Sequence, residues 1–204
     1  IPHTATVKAI LIANAHQYPF DRATRFQQGW GFADVGRVNA AHRNMFIENG
    51  DNPLQTGETW STQVMRYTGH DPLKISLVWA DEDGDPSASI ALVNDLDLKV
   101  TAPNGTVFRG NVGLEDNLYS TGGGSFDRLN NVECVFIQRP LAGNYTIEVI
   151  AHNVAVDHYD DTPAIDQEFA LVATMVNLNP VRPAIVVGPG PDDVNDPIVR
   201  TFNA

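Results

Sequence analysis

The chain contains a single cysteine, Cys134, so it can form neither an intrachain disulfide nor a zinc site built on several thiolates. Cys134 lies in an apolar alternating stretch, which favours a small buried side chain over a nucleophile. The sequence also lacks the G-x-S-x-G elbow of serine hydrolases and the H-E-x-x-H spacing of zinc peptidases. We therefore assign no catalytic residue within this chain.

Basic residues and long apolar runs are also scarce. The 204 residues include 13 Lys and Arg against 25 Asp and Glu, which gives a formal net charge of -12. A field of this sign repels phosphate backbones, so we expect no nucleic-acid partner. No apolar run approaches the roughly 20 residues that a membrane-spanning helix needs, so we expect no membrane span.

The hydrophobic pattern changes from helical spacing to alternation along the chain. Residues 4–15, with Thr4 or Thr6 as N-cap, and residues 35–46, after Asp34, are predicted to form helices. Beyond the turn cluster at residues 49–53, short alternating segments separated by turn residues predict strands near 60–67, 73–79, 96–100, 107–109, 132–138, 145–150 and 168–177. This pattern predicts a mainly β fold, an antiparallel jelly-roll β-sandwich of about eight strands preceded by a short helical segment.

Acidic residues cluster around residues 81–97, where we count only Lys99 as a nearby cation. Asp81, Asp83 and Asp85 begin like an EF-hand loop, but Pro86 and Leu92 stand where that loop needs Gly and Glu. Asp95 and Asp97 would project from the same side of a strand and could share one ion. The sequence therefore predicts a structural Ca²⁺ site assembled from several loops, with candidate ligands Asp81, Asp83, Asp85, Asn94, Asp95, Asp97, Asp127, Asn130, Asn131 and Glu133. The alternative is a solvated acidic surface without an ion.

A set of short motifs occurs in order along the chain, at residues 6–15, 28–31, 36–41, 73–79, 92–98, 102–106, 130–133 and 143–149. Each motif is weak alone, and their order gives the set its specificity. In this order they resemble the C-terminal region of subtilisin-like serine proteases (subtilases) of the alkaline type with an appended jelly-roll domain.

The resemblance implies a division into three parts. Residues 1–46 would be the end of a catalytic domain without its triad, 55–178 an accessory β-sandwich, and 179–204 a proline-rich linker or tail. The family nucleophile lies in a Gly-Thr-Ser-Met-Ala run, which this chain does not contain. The resemblance further implies a secreted parent protein, the catalytic domain of the same polypeptide as partner, and bound calcium. The sandwich would stabilise the protease or assist substrate binding.

Other functions are compatible with the same sequence. A stand-alone jelly roll that binds carbohydrate or another surface is the alternative to a protease accessory domain. The predicted first helix, with Val7, Ile10, Leu11 and Ile12, could pack on the sandwich, fray, or pair with another copy, and we expect some self-association. Two N-glycosylation sequons begin at Asn104 and Asn144, at positions predicted to be turns where Asn is common anyway.

Overall fold

A computed structural model describes residues 1–18, 25–67, 69, 71–158 and 163–176. Its helices are α1 (Thr4–Asn14), α2 (Arg25–Gln28) and α3 (Val35–Ala41), followed by a short 3-10 turn at His42–Asn44. Its strands are β1 (Met45–Asn49), β2 (Thr59–Arg66), β3 (Leu73–Val78), β4 (Asp95–Thr101), β5 (Val107–Arg109), β6 (Val132–Ile137), β7 (Gly143–Asn153) and β8 (Ala170–Thr174).

The strands form two antiparallel sheets of four strands each. One sheet has the order β1-β8-β3-β6 and the other the order β2-β7-β4-β5. Each sheet therefore alternates between strands from the two halves of the chain, which is the arrangement of a jelly roll built from two Greek keys. The predicted fold class, a mainly β sandwich of about eight strands, is confirmed.

The main core lies between the two sheets. Strand alternation turns Leu73, Ile75 and Leu77 of β3 toward Leu96 and Leu98 of β4, and all five are fully buried. The opposite face of β3 is buried as well, because the helical segment covers it. The helices therefore form a layer on the β1-β8-β3-β6 sheet. The outer face of the β2-β7-β4-β5 sheet is not covered by this layer.

Helix α1 packs on β3 and β8 through small side chains. Ala5, Ala9 and Ala13 are buried, so the helix axis can approach the sheet closely. The larger Val7 remains 46% exposed, so the buried face of the helix differs from the one that spacing alone indicated. The residue that caps the helix is His3, whose side chain makes no capping hydrogen bond, and the expectation of a threonine cap was wrong.

The second predicted helix is shorter than expected. It ends at Ala41, and Met45–Asn49 form β1, which pairs along its whole length with β8. Tertiary pairing overrides the helical spacing of Val38, Ala41 and Met45, as it often does for short apolar segments. The proposed division after residue 46 falls inside β1, and the predicted tail at 179–204 lies outside the described residues. Among the residues that the structure describes, no helix has the length and apolarity needed to cross a membrane.

Candidate functional site

An arginine joins two of the predicted acidic ligands. Asp95 and Asp97 lie at the start of β4, and both are buried, at 7% and 2% exposure. Arg128, from the long loop before β6, bonds to the Asp97 carboxylate and lies 3.4 Å from the Asp95 oxygens. Its side chain is 36% exposed, so this cation reaches the acids from the solvent side.

Asp127 organises the same loop. Its Oδ2 accepts hydrogen bonds from Asn111 Nδ2 at 2.6 Å and Asn130 Nδ2 at 2.7 Å, and its Oδ1 accepts from Leu129 N. Asn111 has a left-handed backbone, with φ of 65°, and its Oδ1 accepts from Cys134 N. These bonds connect the loop to β6 and hold the Asp127 carboxylate close to β4.

Glu133 on β6 completes the group, which we call the acid cluster: Asp95, Asp97, Asp127 and Glu133. Its Oε2 accepts from Leu98 N at 2.6 Å, which links the two sheets. Its Oε1 is buried and has no hydrogen-bond partner among the described residues. A Cβ on Gly110 would collide with this carboxylate, so the glycine leaves the space that Glu133 fills.

The acid cluster is electrostatically unbalanced. Burial raises the pKa of Glu133 well above its ordinary value, and Asp97, Asp127 and Asp95 raise it further, against the Leu98 hydrogen bond. Desolvation also raises the pKa values of Asp95 and Asp97, although Arg128 opposes this effect. Burial lowers the pKa of Arg128, but the hydrogen bond and charge of Asp97, with the charges of Asp95 and Glu133, raise it by more. Four carboxyl groups thus share one guanidinium, so either protons or a further cation would stabilise them.

The other predicted ligands lie outside the acid cluster and already have structural roles or solvent exposure. Asp81 accepts from Val93 N and Asn94 N, at 2.9 and 2.8 Å, and so closes the loop before β4. Asp83 is exposed. Asp85 accepts from the backbone and hydroxyl of Ser87, bonds that lower its pKa.

The side chains of Asn94 and Asn131 form hydrogen bonds with other parts of the fold. Asn94 is fully buried and uses both ends of its amide, donating to Val156 O and Gln167 Oε1 and accepting from the amides of residues 155 and 156. Asn131 Nδ2 donates to Trp79 O. The structure therefore brings together Asp95, Asp97, Asp127 and Glu133, with Asn130 donating to Asp127. Asp81, Asp85, Asn94 and Asn131 form other hydrogen bonds, and Asp83 is exposed.

Sequence reasoning missed Arg128 as the partner of the acids. It lies 31 positions from Asp97, and local spacing offers no signal for such a contact. Lys99, the cation that the sequence suggested, instead pairs with Glu148 at 2.7 Å. Within the described part of the chain, no three His, Cys, Asp or Glu side chains already stand in a metal-binding arrangement.

A second polar group lies under the helical layer. Lys74 on β3 is buried, donates to Ala15 O at 3.0 Å at the end of α1, and lies over the Phe136 ring. Burial and the charge of Arg37 together lower the pKa of this amine to about 8, against the opposing effect of Cys134. The thiol of Cys134 is fully buried, as predicted for a small core side chain, and burial raises its pKa to about 12.

The tryptophans form no exposed platform for a sugar within the described residues. Trp79 is 1% exposed and donates to Asn94 O. Trp60 packs edge-on against Phe169 inside the sandwich, and Trp30 packs against Phe136. Trp79 is therefore a core side chain, and the half-buried Trp60 and Trp30 pack against the core.

Comparison with known proteins gives one informative similarity. No protein-family model matches the chain. It is 30% identical over 166 residues to the serine protease/ABC transporter B family protein tagA of Dictyostelium discoideum, and this match covers 76% of the chain but 9% of that protein. A solved structure from Sulfurospirillum deleyianum is 12% identical, with a TM-score of 0.30, and covers 66% of this chain and 98% of its own. The chain is thus similar to a small part of a much larger protein, whose name includes both serine protease and ABC transporter.

Proposed function

We propose that this chain is the non-catalytic C-terminal β-sandwich region of a secreted, subtilisin-like serine endopeptidase, in which it stabilises the protease or assists substrate binding. The observation that carries the proposal is the match, over 76% of this chain, to a protein named as a serine protease/ABC transporter B family protein. The ordered subtilase-like motifs support the same conclusion. Val7 and Val35, on the helical segment, are 46% and 72% exposed, and these apolar side chains could contact the rest of the polypeptide.

The test has two parts that address different claims. The isolated chain should not react with a fluorophosphonate probe, which labels activated serines, and labelling would contradict the non-catalytic assignment. The coding sequence upstream of Ile1 should contain a Gly-Thr-Ser-Met-Ala segment. A parent protein without that segment would contradict the subtilase assignment.

We further propose that the acid cluster binds a structural calcium ion. The buried, unpaired Oε1 of Glu133 supports this, because carboxylate oxygens are preferred calcium ligands and a cation would offset the excess negative charge. Asp95, Asp97 and Asp127 would supply further oxygens. Arg128, which is partly exposed, could then turn toward solvent.

Calcium binding should raise the thermal midpoint relative to the protein in chelator. At free calcium of about 100 times the dissociation constant, the stabilisation is about 2.7 kcal/mol, or roughly 5 to 10 °C for a chain of this size. Glu133→Gln should abolish this shift, whereas Asp83→Asn, in the exposed loop, should retain it. An unchanged midpoint of the wild-type protein would reject the site, and loss of the shift in Asp83→Asn alone would move it to the 81–85 loop.

A further inference from the structure

The two glycosylation sequons occupy different local structures. Asn104 is exposed in the turn between β4 and β5, and its Oδ1 accepts a hydrogen bond from Thr106 N at 3.1 Å. Asn144, however, is the second residue of β7 and pairs with Met65 of β2. A turn preference can explain the first asparagine, but it cannot explain the second.

The strand geometry places the second sequon on the outer face of its sheet. Tyr145 and Ile147 are buried in the core between the sheets, so the alternating residues Asn144 and Thr146 face outward. Asn144 is exposed and Thr146 is half-buried. The amide and the hydroxyl that a sequon requires therefore stand on the same surface.

The two sequons lie at the same end of the β2-β7-β4-β5 sheet. Thr101 pairs with Thr146 across β4 and β7, and a Cβ on Gly143 would lie 2.8 Å from Pro103. This end is opposite to the end of β4 that carries Asp95. It also belongs to the sheet that the helical layer leaves uncovered.

Both asparagine side chains have a free amide nitrogen. Among the described residues, neither Asn104 Nδ2 nor Asn144 Nδ2 donates a hydrogen bond to the protein. A substituent on either nitrogen would extend into solvent without displacing a contact of the fold. Such a substituent would lie away from the acid cluster, which is at the other end of β4, and away from the helical layer on the other sheet.

We propose that Asn104 and Asn144 are attachment sites for N-linked oligosaccharides, an inference that rests on the secretion proposed above. The donor is an oligosaccharide linked to a lipid diphosphate. The asparagine Nδ2 forms a bond to C1 of the first sugar and loses one proton, while the bond between C1 and the diphosphate oxygen breaks and the lipid diphosphate leaves. Glycans at these positions cover one end of the β2-β7-β4-β5 sheet and leave the helical layer, on the other sheet, free to contact other protein.

The experiment is secretion of the whole chain from a eukaryotic cell line, followed by intact-mass measurement before and after treatment with peptide N-glycosidase. Two glycans are expected, and Asn104→Gln and Asn144→Gln should each remove one. Asn153→Gln is the matched control, because Asn153 is exposed at the other end of β7 and is followed by Val154-Ala155. Its mass difference on enzyme treatment should equal that of the wild-type protein.

A conservative pair of variants separates glycan loss from misfolding. Thr146→Ser should keep the glycan on Asn144, whereas Thr146→Val, of similar shape, should lose it. A secreted, folded chain without glycan at one of these asparagines overturns the proposal for that position. Such a result leaves the protease-associated role intact, because the fluorophosphonate and upstream-sequence tests do not depend on glycosylation.

Discussion

Glu133 is the residue whose protonation should dominate the pH dependence of stability. Its pKa in the folded chain is raised above the unfolded value of about 4.5, so the folded state keeps a proton that the unfolded state has released. Unfolding therefore releases protons, and the free energy of unfolding falls as pH rises from the unfolded pKa through the folded one. Each pKa unit corresponds to about 1.4 kcal/mol.

In chelator, we therefore expect the wild-type protein to be more stable at pH 5 than at pH 7.5. Glu133→Gln should flatten this difference and raise stability at pH 7.5, since the amide oxygen can still accept from Leu98 N. Urea unfolding at the two pH values measures both effects. An equally steep pH dependence in the variant would show that other groups carry it.

Arg128 should be the main stabilising cation of the same cluster. Arg128→Met removes the partner of Asp95 and Asp97, and we expect a loss of about 1 to 3 kcal/mol at pH 7 without added metal. The value lies below that of a fully buried pair because the arginine side chain is 36% exposed. Arg139→Met, at an exposed arginine, should change unfolding by less than about 0.5 kcal/mol. Equal effects of the two variants would contradict the role of Arg128.

At the scale of elements, the contact of α1 with the sheet depends on small side chains. Ala9 is fully buried, so Ala9→Leu should overpack this contact and cost about 1 to 3 kcal/mol. Hydrogen exchange in α1 should become faster while exchange in β4 and β7 changes less. Ala40→Leu, at an exposed position of α3, is the matched control. If Ala9→Leu leaves exchange in α1 unchanged, the helix does not pack on this face in solution.

The strands show why some elements were predictable and others were not. β7 was predictable because the alternation in its sequence appears as alternating burial in the structure. β3 was predictable from the alternation of Leu73, Ile75 and Leu77 with Lys74 and Ser76, although all six of its residues are buried. β1 has no such signal in its sequence. Met45–Asn49 is a short apolar segment, and it pairs with β8, more than 120 residues away. A local sequence pattern does not indicate a pairing at that distance.

All four members of the acid cluster were among the candidate ligands predicted from the sequence. Arg128 was not, because it reaches Asp97 through a long loop and lies 31 positions away from it.

At the scale of the whole molecule, charge is distributed unevenly. Residues 1–46 contain five Lys or Arg against two Asp or Glu, whereas the remaining chain contains eight against 23. Self-association through the outer face of α1 would bring two basic segments together. We therefore expect association of the isolated chain to strengthen with salt, since screening weakens that repulsion.

Sedimentation equilibrium at low and high ionic strength measures this effect. Val7→Lys should reduce association, because Val7 is a large apolar side chain that α1 leaves exposed. Thr59→Lys, on an exposed position of β2, should leave it unchanged. A strictly monomeric wild-type chain at high concentration in both buffers would contradict the prediction.

The position of β1 has a consequence for any attempt to isolate the sandwich. A truncation at residue 55, which the domain division suggests, would remove both the helical layer and the strand that shields one side of β8. All five residues of β8 are buried, so the shortened protein would present an open, apolar strand to its neighbours in solution. Such strands recruit further chains by backbone pairing, and the truncated product would be a nucleus for aggregation rather than a minimal domain.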